Sequence, residues 1–306
     1  MSDKSFSQGV GQWLGTAEVY DGAGVFLGNA TDRRHVQKQV DERRVRIDLS
    51  FVGPFKFAGH YTIADHGAHR LYEGPANVGY AETLSSGLID ANAYWPVTGL
   101  TQRFFLMVLP GGDKQMSLAL MSRGEQLLYV VVGEYNRVTE EAGPVPPGFV
   151  NGTSFDFADD VTAGRGEVLL HREGVWRGTL TTLDENLPVV REGEFKEKLK
   201  VEGLRLKVEV EGSAFDSETR KFELVTKGSL AWVPAKEEGL EVAGSYSLSG
   251  GRALSGQFHH LEKALRVWRR EVVSHDGAHK AVLHTWYRGG VRIGVQFGVL
   301  RFEAAP

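Results

Sequence analysis

The side chains best suited to chemistry are densest in one stretch, Gly59-His60-Tyr61-Thr62-Ile63-Ala64-Asp65-His66-Gly67-Ala68-His69-Arg70-Leu71-Tyr72. Its three histidines are donors that a metal ion or a haem iron accepts. Read as a hairpin turning at Ala64 to Ala68, the stretch pairs Ile63 with His69 and Tyr61 with Leu71. Tyr61 and His69 then share the more apolar face, while His60, Thr62, Arg70 and Tyr72 share the other. Alternation therefore separates His60 from His69, so no metal ion is assigned. Asp65 and His66 fall at the turn. In His259-His260, adjacent strand residues face opposite ways, so at most one of them enters an interior as an acid–base group. His275 and His279 flank the Asp276-Gly277 turn and are expected to be exposed. Tyr80 and Trp95 carry the apolar body and polar tip common in ligand pockets, and equally common in cores. Arg266, Trp268 and Arg270 share one strand face. They would either bind an acidic ligand inside or form an outer stripe packed on a neighbouring unit. The cost of burying unpaired arginines favours the outer stripe. There is no Ser/His/Asp nucleophile motif, phosphate-binding glycine loop or Gly-x-Gly-x-x-Gly, and Ser249-Gly250-Gly251 reads as a hairpin turn.

The elements that position these residues are strands. Val45, Ile47 and Leu49 alternate with Arg46, Asp48 and Ser50, and Leu204, Leu206, Val208 and Val210 alternate with Arg205, Lys207 and Glu209. Val291, Ile293, Val295 and Phe297 do the same near the end. Each pattern is a strand with one apolar and one polar face. Helical periodicity is nearly absent. Arg33 to Arg44 has Val36 and Val40 four apart among charges, but its counterpart, Glu192 to Val201, alternates with Phe195, Glu197, Leu199 and Val201 on one face; both read as strands. The 38 glycines against 10 prolines suit many turns between short strands.

The plan occurs twice. Gly11-Gln12-Trp13-Leu14-Gly15 returns as Gly174-Val175-Trp176-Arg177-Gly178, 163 residues on, about half of the 306-residue chain. Two hairpins close each half, and Gly112/Gly277, Gly124/Gly289 and Gly133/Gly298 are each 165 apart. A repeat of that length indicates one domain made twice: residues 1–139, a linker over 140–170 with the strand-breaking run Gly143-Pro144-Val145-Pro146-Pro147-Gly148, and residues 171–306. Phe155 and Phe157, within the linker, are expected to tuck against a barrel.

Composition narrows the function classes. Hydrophobic residues make up 42% and charged residues 24%, with a net charge of −4 and no basic arm, so nucleic acid is not implied. No apolar run reaches the ~18 residues of a membrane helix. There is no cysteine, which removes disulfides, thiolate catalysis and Cys-ligated metals. The opening Met1-Ser2-Asp3-Lys4-Ser5-Phe6 has no apolar core of a secretory signal.

Gly-x-Trp-x-Gly opening a β-meander resembles the first strand of the lipocalins and their wider calycin group. The whole looks like the tandem two-barrel calycin proteins of bacteria whose function is not known. It is less like the two-barrel carotenoid hydratases and Diels–Alder cyclases, since none of their catalytic motifs is matched. The resemblance implies an all-β protein of two tandem antiparallel calycin-like barrels. It also implies that each tryptophan lies across a closed barrel end with an Arg near the last strand over its ring: Trp13 with Arg137, and Trp176 with Arg301. Secreted lipocalins usually carry disulfides, so a chain without cysteine is expected in the cytoplasm. The expected function is binding of a small, largely apolar ligand in a barrel cavity, foremost the N-terminal one, with Tyr61, His69, Tyr80 and Trp95 as ligand-contacting residues and no cofactor. Two other readings stand beside it: a cofactor-free isomerase, cyclase or hydratase with a hydrophobic substrate, and a scaffold filled by its own side chains. Ligand identity and oligomeric state are not given by the sequence.

Overall fold

The computed structural model describes residues 6–39, 43–140, 154–157, 168–185, 190–216, 218–234 and 241–305. Contacts divide the chain into two compact units, Met1–Gly164 and Arg165–Pro306. The Gly143–Gly148 run lies outside the described residues.

The first unit contains β1 (Gly11–Asp21), β2 (Phe26–Lys38), β3 (Arg44–Val52), β4 (Phe55–Asp65), β5 (His69–Glu73), β6 (Val78–Ser85), β7 (Leu88–Trp95), β8 (Leu100–Val108), β9 (Lys114–Arg123) and β10 (Gln126–Thr139). Each strand pairs antiparallel with its neighbour in sequence, and β1 pairs with β10, so the meander closes into a ten-stranded barrel. Closure removes the free edges that a meander would otherwise expose. A further short strand, β11 (Ser154–Phe157), adds to β4 opposite Phe55–Ala58. The side chains of Phe155 and Phe157 lie outside the described residues.

The second unit is also a closed ten-stranded barrel: β12 (Gly174–Asp184), β13 (Val190–Glu202), β14 (Arg205–Glu211), β15 (Arg220–Lys227), β16 (Leu230–Trp232), β17 (Val242–Ser249), β18 (Ala253–His260), β19 (Leu265–Val273), β20 (His279–Arg288) and β21 (Val291–Ala304). A short 3-10 turn, Leu169–His171, precedes it and buries Leu169 and Leu170 in its core. The last three strands of the two barrels coincide end for end at an offset of 165 residues. Gly124 and Gly289 hold the same left-handed turn position, with φ of +59° and +55°. Only glycine takes that conformation freely, which explains why both hairpins keep it.

Alternation sets the cores. Val45, Ile47 and Leu49 of β3 face inward, as do Leu206, Val208 and Val210 of β14; Leu204 lies at a turn and is exposed. Arg33 to Lys38 continues β2 as a strand, and Arg44 starts β3.

The two barrel ends differ. In the first, the Arg137 guanidinium lies 4.5 Å from the Trp13 ring centre. Arg137 also donates to the carbonyls of Gly112 at 2.8 Å and Val10 at 3.0 Å, while the Trp13 indole N–H donates to Gly9 O at 2.9 Å. In the second, Arg301 is exposed and is not over Trp176. The residue across from Trp176 is Phe302, whose ring meets it edge-on at 5.0 Å, and Arg172 stacks on Phe302 at 3.5 Å. The register explains the correction. Trp13 stands opposite Arg137, and 137 plus the 165-residue offset is 302. The guanidinium therefore comes from the segment before β12 and reaches the tryptophan through a phenyl ring.

Candidate functional site

The first barrel encloses a cavity with aromatic walls and one polar corner. Its lining includes Phe51, Phe55, Phe57, Tyr61, Tyr72, Trp95, Phe104, Met121 and Val131, with Ala91, Ala93 and Ala119 leaving the space open. The free space is about 750 Å³ with its mouth included, and the centre of a water molecule can move through about 80 Å³ of it. A single water needs only roughly 10–15 Å³ on that measure. The walls brace one another: Phe51 and Phe55 stack at 4.7 Å, Phe57 meets Trp95 edge-on at 4.7 Å, and Tyr61 stacks on Tyr72 at 5.5 Å.

The polar corner is built by β2 and β10. Ala30, Asp32, Arg34 and Val36 point the same way on β2, so two charged residues enter an otherwise apolar face. The Tyr135 hydroxyl donates to Asp32 Oδ2 at 2.8 Å, and Arg34 Nη2 donates to the same oxygen at 2.8 Å. The Arg34 guanidinium also stacks on the Tyr135 ring at 4.2 Å. Burial opposes the charge on Arg34, but Asp32 and its hydrogen bonds hold the pKa above the ordinary value. Asp32 and Arg34 thus bury as a neutral pair, which avoids the cost of an isolated charge. Gly15 makes the corner possible: a Cβ there would come within 2.2 Å of the Tyr135 ring.

Four hydrogen-bonding groups on the lining are unpartnered among the described residues. Arg34 Nη1 is left over after Nε and Nη2 engage Asp32 and Tyr135. Gln102 accepts from the Trp95 indole at 2.9 Å through Oε1, which leaves its amide N–H groups. The Tyr61 and Tyr72 hydroxyls are the other two. Burial pushes the Tyr61 phenol up to about 12, and burial likewise raises Tyr72 and Tyr135. At neutral pH all three phenols are protonated donors, not bases.

Of the four residues expected to contact a ligand, Tyr61 and Trp95 line this cavity, and His69 and Tyr80 do not. His69 is exposed, and Tyr80 is 48% exposed. The hairpin pairs Ile63 with Tyr72 and Thr62 with Glu73, a register shifted by three residues from the expected one. An odd shift reverses which residues face inward, so Tyr72 enters and His69 turns outward. On β6 the inward residue is Ala81, and Tyr80 stands beside Leu71 on the outer face.

Asp32, Arg34 and Tyr135 are not singled out by the sequence, because Arg33 to Arg44 reads as a strand among charges with nothing in that run to say which of them face inward. The available signal was the alternation of Ala30, Asp32, Arg34 and Val36. The second barrel has a parallel case. Arg266, Trp268 and Arg270 lie on the outer face, where Arg270 stacks on Trp268 at 4.0 Å and Arg266 on Tyr287 at 4.0 Å. The inward cation is Arg269, which alternates with Leu265, Val267, Glu271 and Val273. Arg269 and Lys280 share the carboxylates of Glu197 and Glu271, all four buried.

No protein-family model matches the chain, and no curated protein matches it in sequence. Among solved structures, the chain is similar to a protein of unknown function from the DUF3598 family of Nostoc punctiforme, at 14% identity and a TM-score of 0.60, with 98% of each chain covered. That likeness shows the same fold over the full length. Fainter likenesses, which bear no argument, run to an S-type phycobiliprotein lyase from Guillardia theta (10% identity, TM-score 0.35, 44% of this chain and 90% of that one) and to kievitone hydratase from Nectria haematococca (8% identity, TM-score 0.19, 99% and 92%). Among the described residues no helix is long and apolar enough to cross a membrane.

Proposed function

We propose that the first barrel, in a tandem calycin-like protein whose halves arose by duplication, binds a small, largely apolar, uncharged molecule that carries at least one hydrogen-bond-accepting oxygen. The observation that carries this reading is the aromatic cavity with its neutral Asp32–Arg34 corner and the unpartnered N–H groups of Arg34 and Gln102. Tyr61 and Trp95 contact the ligand's apolar body. Arg34 Nη1 donates to its oxygen, and a bond to a charged donor contributes roughly 1.5–3 kcal/mol. A carboxylate ligand is disfavoured because Asp32 already neutralises the guanidinium. Binding is preferred over catalysis by a cofactor-free isomerase, cyclase or hydratase because burial makes the three cavity tyrosines weak acids and keeps them protonated, and the lining carboxylate, Asp32, is engaged by Arg34 and Tyr135.

Native mass spectrometry of the chain isolated from its own cells tests this. One non-covalent small molecule per chain is expected. A chain found only at its own mass, both as isolated and after incubation with excess benzophenone, overturns the proposal.

A further inference from the structure

The second barrel contains a smaller cavity whose chemistry differs from that of the first. It is lined by Phe195, Phe222, Phe258 and Trp286, and by the two histidines His260 and His284. Its free space is about 370 Å³ with its mouth included, and a water centre can move through about 30 Å³. Every lining residue lies in the second unit, between Phe195 and Trp286.

Each histidine is fixed through one ring nitrogen. His260 Nδ1 lies 2.9 Å from Asp216 Oδ2. Arg220 and Lys263 also donate to Asp216, at 2.6 Å and 2.7 Å, and these cations hold its carboxyl well below the usual range despite burial. The carboxylate can only accept, so Nδ1 carries the proton and Nε2 keeps its lone pair. His284 Nε2 lies 2.9 Å from Glu271 Oε1, and by the same argument His284 Nδ1 keeps a lone pair. Glu271 is itself held ionised by Arg269 and Lys280 against the effect of burial. Burial keeps both imidazoles neutral by lowering their pKa values. His260 is 7% exposed and His284 2%, and neither free nitrogen has a partner among the described residues.

We propose that this cavity is a second binding site, one for a small one-ring molecule with a hydroxyl or N–H donor, a phenol in the simplest case, which His260 accepts through Nε2. His260 stands at the end of β18, where the strand gives way to a short 3-10 turn, and its ring lies 5.7 Å from that of Trp286. The ligand's donor meets the imidazole while its ring lies among Trp286, Phe222 and Phe258. The first barrel offers donors to an acceptor, whereas the second adds an acceptor, His260 Nε2, beside the cations Arg220 and Arg269 and the Trp286 indole N–H, which is unpartnered among the described residues. His259, its sequence neighbour, is exposed and takes no part.

The test uses the full chain and two probes of similar shape, phenol and anisole. Anisole has the same ring and oxygen but no O–H. Isothermal titration calorimetry should show phenol bound more tightly than anisole by roughly threefold to tenfold, the net contribution of one buried hydrogen bond. Long-range proton–nitrogen NMR should show the His260 Nε2 resonance moving with phenol and not with anisole. His260→Leu should remove the phenol preference, and His260→Gln, which keeps an acceptor at the same reach, should restore part of it. Ala119→Phe, in the first barrel, should leave the phenol preference unchanged. Equal affinity for the two probes in the natural chain overturns the proposal without any variant. A phenol preference that survives His260→Leu, or that is lost in Ala119→Phe, also overturns it.

Discussion

Replacing Lys280 by methionine should cost the second barrel far more than a typical core substitution. The Lys280 ammonium contacts Glu197 and lies 2.9 Å from Glu271, while Arg269 contacts the same two carboxylates at 2.5 Å and 2.6 Å. Two buried anions are thus neutralised by two buried cations, each residue no more than 8% exposed. At about 3 Å and an effective dielectric constant near 20, each contact is worth roughly 5 kcal/mol before desolvation. Lys280→Met removes two such contacts and the ammonium's own desolvation cost, and it leaves two carboxylates facing one guanidinium. Breaking a buried pair from one side usually costs about 3–5 kcal/mol. With a urea slope near 2 kcal/mol per molar, the midpoint should fall by about 1.5–2.5 M. Adding Glu197→Gln returns the cluster to neutrality and should recover at least half of that loss. Hydrogen-exchange mass spectrometry in urea, on peptides covering β20, reads the second unit alone. A midpoint lowered by less than about 0.5 M, or a double variant less stable than the single one, would refute the reasoning.

Gly15→Ala should lower the stability of the first unit by about 1–3 kcal/mol, since the new Cβ meets the Tyr135 ring; urea unfolding followed on β1 peptides checks this, and an unchanged midpoint contradicts it. Stability of the second unit should fall as pH drops from 7 to 5. Burial depresses His171 to about 4 and lowers His260 and His284, so the unfolded chain binds protons first, below about 6.5, and the loss continues towards the folded values. His171 alone contributes on the order of 1 kcal/mol at pH 5 after allowance for its partial exposure. A urea midpoint for β20 peptides that is flat or rising over this window contradicts the assignment.

The outline of the fold was legible because it rests on period and repetition. The alternation of Val45, Ile47 and Leu49 marks a strand, and the glycines 165 apart mark two equivalent hairpins. Arg137 over Trp13 did not come from period or repetition; the resemblance to the lipocalins implied it, and the pairing of β1 with β10 places the two side by side. Arg301 was a different matter. The repeat offset leads to Phe302, and the guanidinium comes instead from Arg172, outside the repeat. His69 failed on register. The Asp65–Ala68 segment contains several turn formers, and a three-residue shift in register, with the centre of the turn moved by one and a half residues, exchanges the two faces. The polar groups inside both barrels were illegible for a physical reason. Asp32 and Arg34 neutralise each other, as do Arg269 and Glu271, and each pair is completed by groups distant in sequence, Tyr135 for the first and Glu197 with Lys280 for the second. A charge on an apolar face therefore counts as evidence for a strand only once its counter-charge is known.

Calorimetric titration of the full chain with benzophenone and with diphenylmethane, in the natural sequence and in Ala119→Phe, tests most directly whether the first barrel is a ligand site. Benzophenone should bind once per chain and at least about tenfold more tightly than diphenylmethane, because its carbonyl meets Arg34 Nη1. Ala119→Phe, which fills the cavity from β9, should abolish binding of both. Equal affinity for the two molecules, or benzophenone binding that survives Ala119→Phe, would contradict the account.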